Sequence, residues 1–569
     1  MRYFGWIAAL VPALIVIIFC MLPVFSNWDT HMLGPFGGLD ALLQAGLLQW
    51  SGQTYLTPEL WYQLPIFYPE QDVLGYMDSL LGQALSIQPI LWLTDPSAAA
   101  QYNWAMLISL VLSAVSVLLI WRNSGGEPVP GAIVAAVVIG SPYTLAQLGH
   151  LNQLPPPMVF FAIAAVIGAL NSAASLRKRI LWWGAAMLAV VAQSMWGWYG
   201  FVYAAMGAAI PVVWNLFSHR EYKQFFRLNW VVLPMLLIAV PAVLWMAEPQ
   251  LRVADRYSEF DRSDTEIRLG SADLKHFFER GVYRSNPADW VGKGLDGAQR
   301  YEDRERQVLN PGWLALALAV YGIKHRRKLS GKMLQHGYGL LGLGFIGLVF
   351  AFGESTGLPF TDKRMLLPFG VLREFIDSLR AFRGAWRFSL LTVLAIAWWA
   401  GFGFSMLRNR YGVKAFGVAV LLVLISLPVT LPIIEIPAEV NLSSNTFASN
   451  QKLLTLPTPL NEYLEDRIEV LWLLRAVSTG NQVTGGATGW VSGNIIKLRL
   501  ELSDCEAGLI APEEIFDRFI ELGITGAEIA ERADDSIRVE FWREALSSYG
   551  ATEMPGIDGS KYSRWIFED

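Results

Sequence analysis

The chain has 569 residues, of which 53% are hydrophobic and 16% are charged, and its formal net charge is −5. Soluble domains carry about 25% charged residues, so this composition indicates a membrane protein and argues against a soluble enzyme. The acidic balance and the lack of a basic stripe argue against nucleic acid as a partner. The two cysteines, at positions 20 and 505, fit neither a disulfide framework nor a zinc site.

Eleven apolar runs, each close to the length that crosses a bilayer, predict a polytopic α-helical membrane protein with about 11 transmembrane helices. The runs cover residues 4–25, 102–121, 129–148, 156–175, 180–195, 197–217, 228–247, 310–323, 334–353, 386–406 and 414–434. The first run has no small-residue cleavage site before Trp28, so we interpret it as an uncleaved anchor rather than a signal peptide.

Basic residues set the predicted orientation, because short loops rich in Lys and Arg stay in the cytoplasm. With eleven spans, the basic clusters at 122, 177–179, 220–227, 324–328 and 408–414 all fall in alternate loops. The pattern predicts a multi-pass protein of the plasma (inner) membrane with a cytoplasmic N-terminus and an extracytoplasmic C-terminus. The outer segments are then 26–101, 149–155, 248–309, 354–385 and 436–569.

Two parts of the chain follow from this topology. Residues 1–435 form a transmembrane domain with large outer loops at 26–101 and 248–309, and apolar stretches at 39–50 and 75–93 predict interfacial helices in the first loop. Residues 436–569 form a small soluble extracytoplasmic domain. Predicted strands at 468–474, 524–530 and 562–567 alternate with helices at 512–522 and 539–549, which is typical of an α/β or α+β module.

The first outer loop contains the leading candidates for chemistry. Between Arg2 and Arg122 the chain has no Lys or Arg but seven acids. Asp29 lies at the outer end of the first span, where it could act as a general base or bind a divalent cation such as Mg²⁺ or Mn²⁺, with His31 as a second ligand or donor. The alternative is that both residues only mark the membrane boundary. Asp78 interrupts an apolar helix, which is costly unless the acid is paired, hydrated or used; the alternative is a water-facing position.

Two further groups of residues could bind a substrate. His150 and Asn152 lie in a short outward turn and could point into a cavity between the spans, or could belong to an ordinary hairpin. Trp198 and Tyr199 could stack on sugar rings, although an aromatic belt at the membrane surface is the simpler interpretation.

Three arginines precede the tenth span with spacings that place them on one helical face: Arg380, Arg383 and Arg387. Guanidinium groups stay charged and bind phosphate through two hydrogen bonds, so a phosphate site is one interpretation. Contact with lipid head groups or with loop acids is the other.

Four motifs resemble those of a known family. They are Phe67-Tyr68-Pro69-Glu70 followed by Tyr76-Met77-Asp78-Ser79-Leu80-Leu81-Gly82, then Gly149-His150-Leu151-Asn152, Phe382-Arg383-Gly384-Ala385-Trp386-Arg387-Phe388 and Leu522-Gly523-Ile524-Thr525. In their order and topology they resemble the polytopic membrane glycosyltransferases of the GT-C superfamily, and the resemblance covers nearly the whole chain.

The resemblance implies a fold, a reaction and roles for particular residues. In GT-C enzymes an acid in the first outer loop serves catalysis or metal binding, and Asp29 is the matching position, although this chain has Asp-Thr-His where many members carry two adjacent acids. The donor would be a sugar on a polyprenyl phosphate and the acceptor an extracytoplasmic glycan, lipid or protein. Asp29 would deprotonate the acceptor for an inverting displacement, and Arg383 or Arg387 would stabilise the departing phosphate.

Two other classes of protein remain compatible with the sequence. A transporter or lipid flippase would carry ionisable residues or broken helices at mid-membrane, whereas here the acids gather at one membrane face. A non-catalytic GT-C-like scaffold of envelope glycan assembly would keep the fold without the activity.

Overall fold

The computed structural model describes most of the helical part of the chain and several segments of the C-terminal part. The described residues are 2–34, 39–67, 70–171, 175–219, 229–256, 267, 270–272, 274–278, 309–353, 355–357, 364–375, 384–426, 433–435, 452–456, 476, 482–483, 493–522, 524–530, 536–554 and 562–567.

The described N-terminal and central chain contains a series of helices. These are α1 (Arg2–Ala8), α2 (Val11–Phe25), α3 (Leu39–Thr54), α4 (Leu81–Thr94), α5 (Ala98–Asn123), α6 (Pro128–Gly140), α7 (Pro142–Ala146), α8 (Pro157–Leu170), α9 (Leu176–Trp196), α10 (Trp198–His219), α11 (Val232–Arg256), α12 (Trp313–Lys324), α13 (Gly331–Ala351), α14 (Pro368–Phe375), α15 (Ser389–Tyr411) and α16 (Ala415–Ser426). Short 3₁₀ turns lie at Pro58–Leu60, Val73–Tyr76, Leu274–Phe277, Arg326–Lys328, Ala385–Phe388 and Gly412–Lys414.

The protein is a multi-pass helical membrane protein, as predicted. Within the described residues, seven helical stretches are long and apolar enough to cross a membrane: Phe4–Phe25, Ala98–Asn123, Pro128–Ala146, Trp198–Ser218, Val232–Arg256, Gly331–Ala351 and Ala385–Tyr411. Two shorter apolar helices, Pro157–Leu170 and Trp313–Lys324, coincide with two more of the predicted runs. The finer count of about 11 spans stays a prediction.

Serine side chains define where several of these helices begin. The side-chain oxygens of Ser97, Ser141, Ser175 and Ser330 accept a backbone N–H from the first turn of α5, α7, α9 and α13, respectively. This satisfies one of the amide groups that a helix leaves unbonded at its start, so these ends are encoded locally.

The loops predicted to share a membrane side do meet one another. At one end of the spans, Asn152 of the predicted outer segment 149–155 donates to Asp78 of segment 26–101 at 3.0 Å, and Nε2 of His150 lies 2.7 Å from Oδ2 of Asp40. At the opposite end, Arg408 pairs with Glu127 at 2.6 Å. Which of the two ends faces the cytoplasm stays a prediction.

Small residues allow close contact between two of the core helices. A Cβ atom at Gly403 of α15 would lie 1.9 Å from the carbonyl oxygen of Leu318 in α12, and one at Gly322 would lie 2.5 Å from the carbonyl oxygen of Trp399. The two backbones can approach this closely only because these glycines lack side chains, as is common between helices in membranes.

Described strands form small sheets beside this helical part and one larger sheet in the C-terminal part. Two antiparallel pairs join β1 (His31–Leu33) to β4 (Ile433–Glu435) and β2 (Ser355–Gly357) to β3 (Arg364–Leu366). A five-stranded mixed sheet contains, in spatial order, β6 (Gln482–Val483), β5 (Lys452–Leu456), β7 (Gly526–Ala530), β9 (Tyr562–Ile566) and β8 (Thr552–Met554).

Three helices accompany that sheet: α17 (Gly493–Glu506), α18 (Pro512–Glu521) and α19 (Ser536–Tyr549). Phe516 of α18 and Trp542 of α19 are fully buried and pack edge to face in the core. The predicted helices at 512–522 and 539–549 and the strands at 524–530 and 562–567 are confirmed. The predicted strand at 468–474 lies outside the described residues, and the domain boundary at 435 stays a prediction.

Gly82 in α4 gives a direct test of the packing that positions the first loop. A Cβ atom there would lie 1.9 Å from Cδ1 of Trp196, while the neighbouring Gln83 donates to the carbonyl of Trp196 at 2.9 Å. We expect Gly82→Ala to destabilise the protein by about 1–3 kcal/mol or more, because the indole has to move. Thermal unfolding in detergent measures this.

Gly342 in α13 is the matched control, because a Cβ atom there meets nothing within 4 Å. Alanine in an open helical position stabilises by about 0.5–1 kcal/mol relative to glycine, so Gly342→Ala should unfold at the same or a higher temperature. Equal effects of the two substitutions would contradict the close α4–Trp196 contact.

Candidate functional site

Asp78 lies where the first loop meets the break between α9 and α10. Its Oδ1 accepts the backbone N–H of Trp198 at 2.7 Å, and its Oδ2 accepts an amide hydrogen of Asn152 at 3.0 Å. The sequence predicted that Asp78 interrupts a helix, and this is wrong: α4 begins at Leu81, after Leu80 adopts a left-handed φ of 55°. Asp78 therefore belongs to an irregular segment whose backbone is shaped by long-range contacts.

The surroundings of Asp78 favour its protonated form. Burial is the largest influence and raises the pKa of this carboxyl above its ordinary value, while the hydrogen bonds from Asn152 and from the Trp198 amide and the charge of Arg387 lower it. Burial prevails, so the pKa is raised. A carboxylate whose pKa is raised is a better proton acceptor than one in water, which suits a general base.

The turn at 149–153 is held by polar side chains of α3. Nε2 of Gln44 donates to Oδ1 of Asn152 at 3.2 Å, so Asn152 connects Gln44 to Asp78. Nε2 of the buried His150 lies 2.7 Å from Oδ2 of Asp40. Asp40 and Gln44 are four residues apart on one helical face, and this spacing is the signal that could have identified them as site residues from the sequence.

Arg387 provides a positive charge on the other side of the group. Its guanidinium carbon lies 4.6 Å from the centroid of the Tyr199 ring and 5.5 Å from that of Trp386. The Gly384 amide donates to the Tyr199 hydroxyl oxygen at 3.4 Å, which ties this aromatic platform to the turn that carries Arg387. Arg387 lies in a 3₁₀ turn, and Arg380 and Arg383 lie outside the described residues.

Three buried polar groups on or beside elements that contact the Arg387 turn have no hydrogen-bond partner among the described residues. They are the side-chain amide of Gln147 and the hydroxyls of Tyr203 and Ser389. The Tyr203 ring packs 4.9 Å from the ring of Phe388, and Phe388 lies between Arg387 and Ser389 in the chain. Buried polar groups are normally hydrogen-bonded, so these atoms could accept or donate a hydrogen bond to a polar ligand. Sequence reasoning missed all three, because isolated polar residues in apolar helices carry no periodic signal.

Asp29 and His31 lie elsewhere on the same end of the spans. Asp29 is exposed and lines an open cavity of about 400 Å³ together with Thr94, Asp95, Pro96, Ser97, Ala100 and Trp104. Asp78 is not among the lining residues. His31 lies in β1, and its Nδ1 is 2.8 Å from the Thr30 hydroxyl.

The predicted site residues therefore fall into two groups. Contacts on three elements bring together Asp78, His150, Asn152, Trp198, Tyr199 and Arg387, whereas Asp29 and His31 accompany the separate cavity. The first group combines a carboxylate of raised pKa, a fixed cation, amide groups and aromatic faces. Such a set can accept a proton, bind an anion and stack against a sugar ring.

The donor set does not fit a metal held by three protein side chains. In the part of the chain that the structure describes, no three His, Cys, Asp or Glu residues lie close enough to share an ion. Asp40 and His150 contact each other, while Asn152 turns its Oδ1 to Gln44. The divalent cation predicted from the sequence stays a prediction.

Comparisons with known proteins find likeness only among solved structures. Archaeal oligosaccharyltransferase AglB from Archaeoglobus fulgidus, in complex with an inhibitory peptide and a dolichol-phosphate, is similar at 12% identity and a TM-score of 0.46, over 99% of this chain and 74% of that one. The apo form of the Archaeoglobus fulgidus enzyme matches at 12% identity and a TM-score of 0.47, over 97% and 73% of the two chains.

ArnT from Cupriavidus metallidurans, bound to undecaprenyl phosphate, matches at 11% identity and a TM-score of 0.35, over 99% of this chain and 98% of that chain. No protein-family model matches the sequence, and no curated protein matches it significantly.

Proposed function

We propose that the protein is a membrane glycosyltransferase that moves a sugar from a polyprenyl-phosphate donor to an extracytoplasmic acceptor with inversion at the anomeric carbon. The observation that carries the proposal is the combination of Asp78 and Arg387. A partly enclosed carboxylate of raised pKa and a fixed guanidinium meet at one end of the spans, with unpartnered polar groups of Gln147, Tyr203 and Ser389 among the buried residues.

Asp78 is the base in this proposal. It takes the proton from an acceptor hydroxyl, whose oxygen attacks the anomeric carbon as the bond from that carbon to the phosphate oxygen breaks. The sugar then carries a new glycosidic bond, the proton is on Asp78, and the polyprenyl phosphate leaves with the electron pair. One displacement inverts the anomeric configuration. Asn152 and the Trp198 amide fix the carboxylate, and the geometry of a held base favours this step.

Arg387 stabilises the charge that develops on the leaving phosphate. The guanidinium lies over the Tyr199 ring, so its orientation is fixed before the reaction begins. A preorganised cation that faces developing negative charge lowers the barrier more than one that has to reorient. A lipid-borne donor fits this arrangement, because a site at the end of membrane spans is reached from the bilayer.

The direct test uses the purified full-length protein and a panel of polyprenyl-phosphate-linked sugars with envelope lipids, glycans and peptides as acceptors. We expect release of polyprenyl phosphate together with formation of a glycosylated acceptor, and both products are detected by mass spectrometry. A folded protein that turns over no member of the panel would favour the scaffold interpretation. Movement of the intact donor across a vesicle membrane without cleavage would favour a flippase.

The pH dependence of transfer follows from the raised pKa of Asp78. The base works only when deprotonated, so activity should rise with pH and reach half its maximum above the ordinary carboxyl value of 3.8. Asn152 lowers this pKa through its hydrogen bond. We therefore expect Asn152→Ala to move the acid limb of the pH–rate profile to higher pH.

Asn123 provides a control for that substitution, because it donates to the carbonyl of Ala164 at 2.8 Å in another part of the spans. Asn123→Ala should leave the acid limb at the wild-type pH. A limb that stays fixed in Asn152→Ala would mean that a group other than Asp78 controls the rate.

A further inference from the structure

An exposed apolar surface lies at the edge of the first loop, outside the site. We call it the apolar rim and define it as Leu56, Leu60, Trp92 and Leu93, whose exposed fractions are 76%, 38%, 70% and 83%. A cluster of large apolar side chains facing water is unfavourable in a soluble surface and marks a contact with a partner or a membrane.

The rim is built on a firm platform rather than on loose loops. Gln88 of α4 donates to the carbonyl of Gly52 in α3 at 3.1 Å, and a Cβ atom at Gly52 would lie 3.1 Å from a methyl carbon of Leu91. The indole N–H of Trp92 donates to the Tyr55 hydroxyl at 3.2 Å. The ends of α3 and α4 therefore present these side chains together.

Two contacts place the rim at the level where the spans leave the membrane. Trp61, next to Leu60, packs its ring 5.6 Å from that of Trp245, an exposed residue of the candidate span α11. Trp92 and Leu93 end α4 just before the candidate span α5, whose capping Ser97 donates to the carbonyl of Asp29 at 2.7 Å, beyond the end of α2. The rim therefore adjoins three candidate spans, α2, α5 and α11.

We propose that the apolar rim inserts into the adjacent leaflet of the bilayer, at the boundary between head groups and acyl chains, and holds the Asp78 loop at that depth. Trp and Tyr side chains prefer this boundary, and an apolar helix edge enters it by burying its area.

Charge indicates which lipid the rim accepts. From residue 3 to residue 121 the chain has no Lys or Arg. The two arginines of α11 that contact this loop, Arg252 and Arg256, pair with its acids such as Asp72, which reduces their attraction for anionic head groups. Acids such as Glu59 lie beside it instead. The rim therefore fits zwitterionic lipid, with apolar burial as the attraction, and we expect no gain from anionic lipid.

Spin labels on single introduced cysteines in nanodiscs test the proposal. Both native cysteines are buried, and burial raises the pKa of the Cys505 thiol to about 11, so labelling should favour the introduced site. Leu93→Cys is compared with two controls of similar exposure, Leu237→Cys in α11 and Leu509→Cys after α17, each 76% exposed in the native chain against 83% for Leu93. The unmodified protein carried through the same labelling gives the background.

In phosphatidylcholine nanodiscs we expect the label at position 93 to collide with oxygen and to be shielded from a water-soluble nickel chelate, as at position 237. Collision behaviour like that at position 509 would overturn the proposal. Shielding from both reagents would indicate a protein contact, such as a second copy, and would overturn it too. Leu56→Cys repeats the measurement should Leu93→Cys fail to fold.

Replacing part of the phosphatidylcholine with phosphatidylglycerol should leave the depth of the label at position 93 unchanged or make it shallower. A deeper label would overturn the proposed preference for zwitterionic lipid. These readouts do not involve catalysis, so they stand apart from the test of the proposed activity.

Discussion

Asp78→Asn is expected to reduce sugar transfer by about 10²- to 10⁴-fold, the usual contribution of a positioned general base. The substitution removes the proton acceptor and keeps the size of the side chain. The initial rate of polyprenyl phosphate release, measured with the wild-type protein in parallel, gives the effect. Asp29→Asn in the same assay separates the two acids, since the proposal assigns the base to Asp78 whereas the family resemblance implies Asp29.

The stability of Asp78→Asn separates catalysis from a purely structural role. Because its pKa is raised on folding, Asp78 contributes stability below the ordinary value of 3.8 and loses that contribution as pH rises through the raised value. Above the raised pKa the buried charge is a cost that asparagine removes, and the new amide faces the Asn152 amide with the loss of one hydrogen bond. We expect these opposing effects to leave the unfolding temperature near that of the wild type.

The double variant Asp78→Asn with Asn152→Asp provides a matched control. Asparagine at 78 can accept from the Trp198 amide and donate to a carboxylate at 152, which in turn can accept from Gln44, so every hydrogen bond of the group is kept. Transfer should stay low although the network is intact. Recovery of wild-type activity in this variant would show that the hydrogen-bond pattern matters and that the carboxylate position does not.

Arg387→Ala is expected to reduce the turnover number by about 10²- to 10³-fold, as removal of one preorganised group facing a developing charge does. The turnover number of Arg387→Lys should lie between those of the wild type and Arg387→Ala, because lysine keeps the charge but loses the planar guanidinium that lies over Tyr199. The rates should be compared well above the acid limb, since Arg387 also lowers the pKa of Asp78.

Arg410 is the control for this series. Its guanidinium carbon lies 5.1 Å from the Tyr411 ring centroid, so it makes the same kind of contact at the opposite end of the spans, where Arg408 pairs with Glu127. The Arg410→Ala protein should transfer sugar at the wild-type rate. A loss as large as that of Arg387→Ala would mean that both substitutions act through stability.

Local signals in the sequence predicted much of the helical part of the fold. The length of each apolar run predicted where the helices lie. Ser97, Ser141 and Ser330 cap the starts of three of these helices through contacts with residues only three positions away. The break at Gly197, where φ is 152°, lies where the predicted runs 180–195 and 197–217 meet. These features depend on contacts within one turn, so the neighbouring residues in the sequence encode them.

The site could be predicted only in part, because its contacts join distant segments. Asp78, Asn152 and Arg387 were each predicted as candidates, but their grouping depends on bonds across 74 and 120 positions, such as those that Asp78 accepts from Asn152 and Trp198. The helix predicted through Asp78 is absent because those bonds hold the segment outside the helical region. Gln147 and Tyr203 gave no signal, since burial without a partner is visible only in three dimensions.

The configuration of the product is the most direct test of the central claim. The purified protein is supplied with a polyprenyl-phosphate sugar of known anomeric configuration, and the product is examined by proton NMR while lipid phosphate is quantified. A single displacement assisted by Asp78 predicts the inverted anomer and an equal amount of released polyprenyl phosphate, both lost in Asp78→Asn. A retained configuration, or inversion at the wild-type rate in Asp78→Asn, would contradict the account.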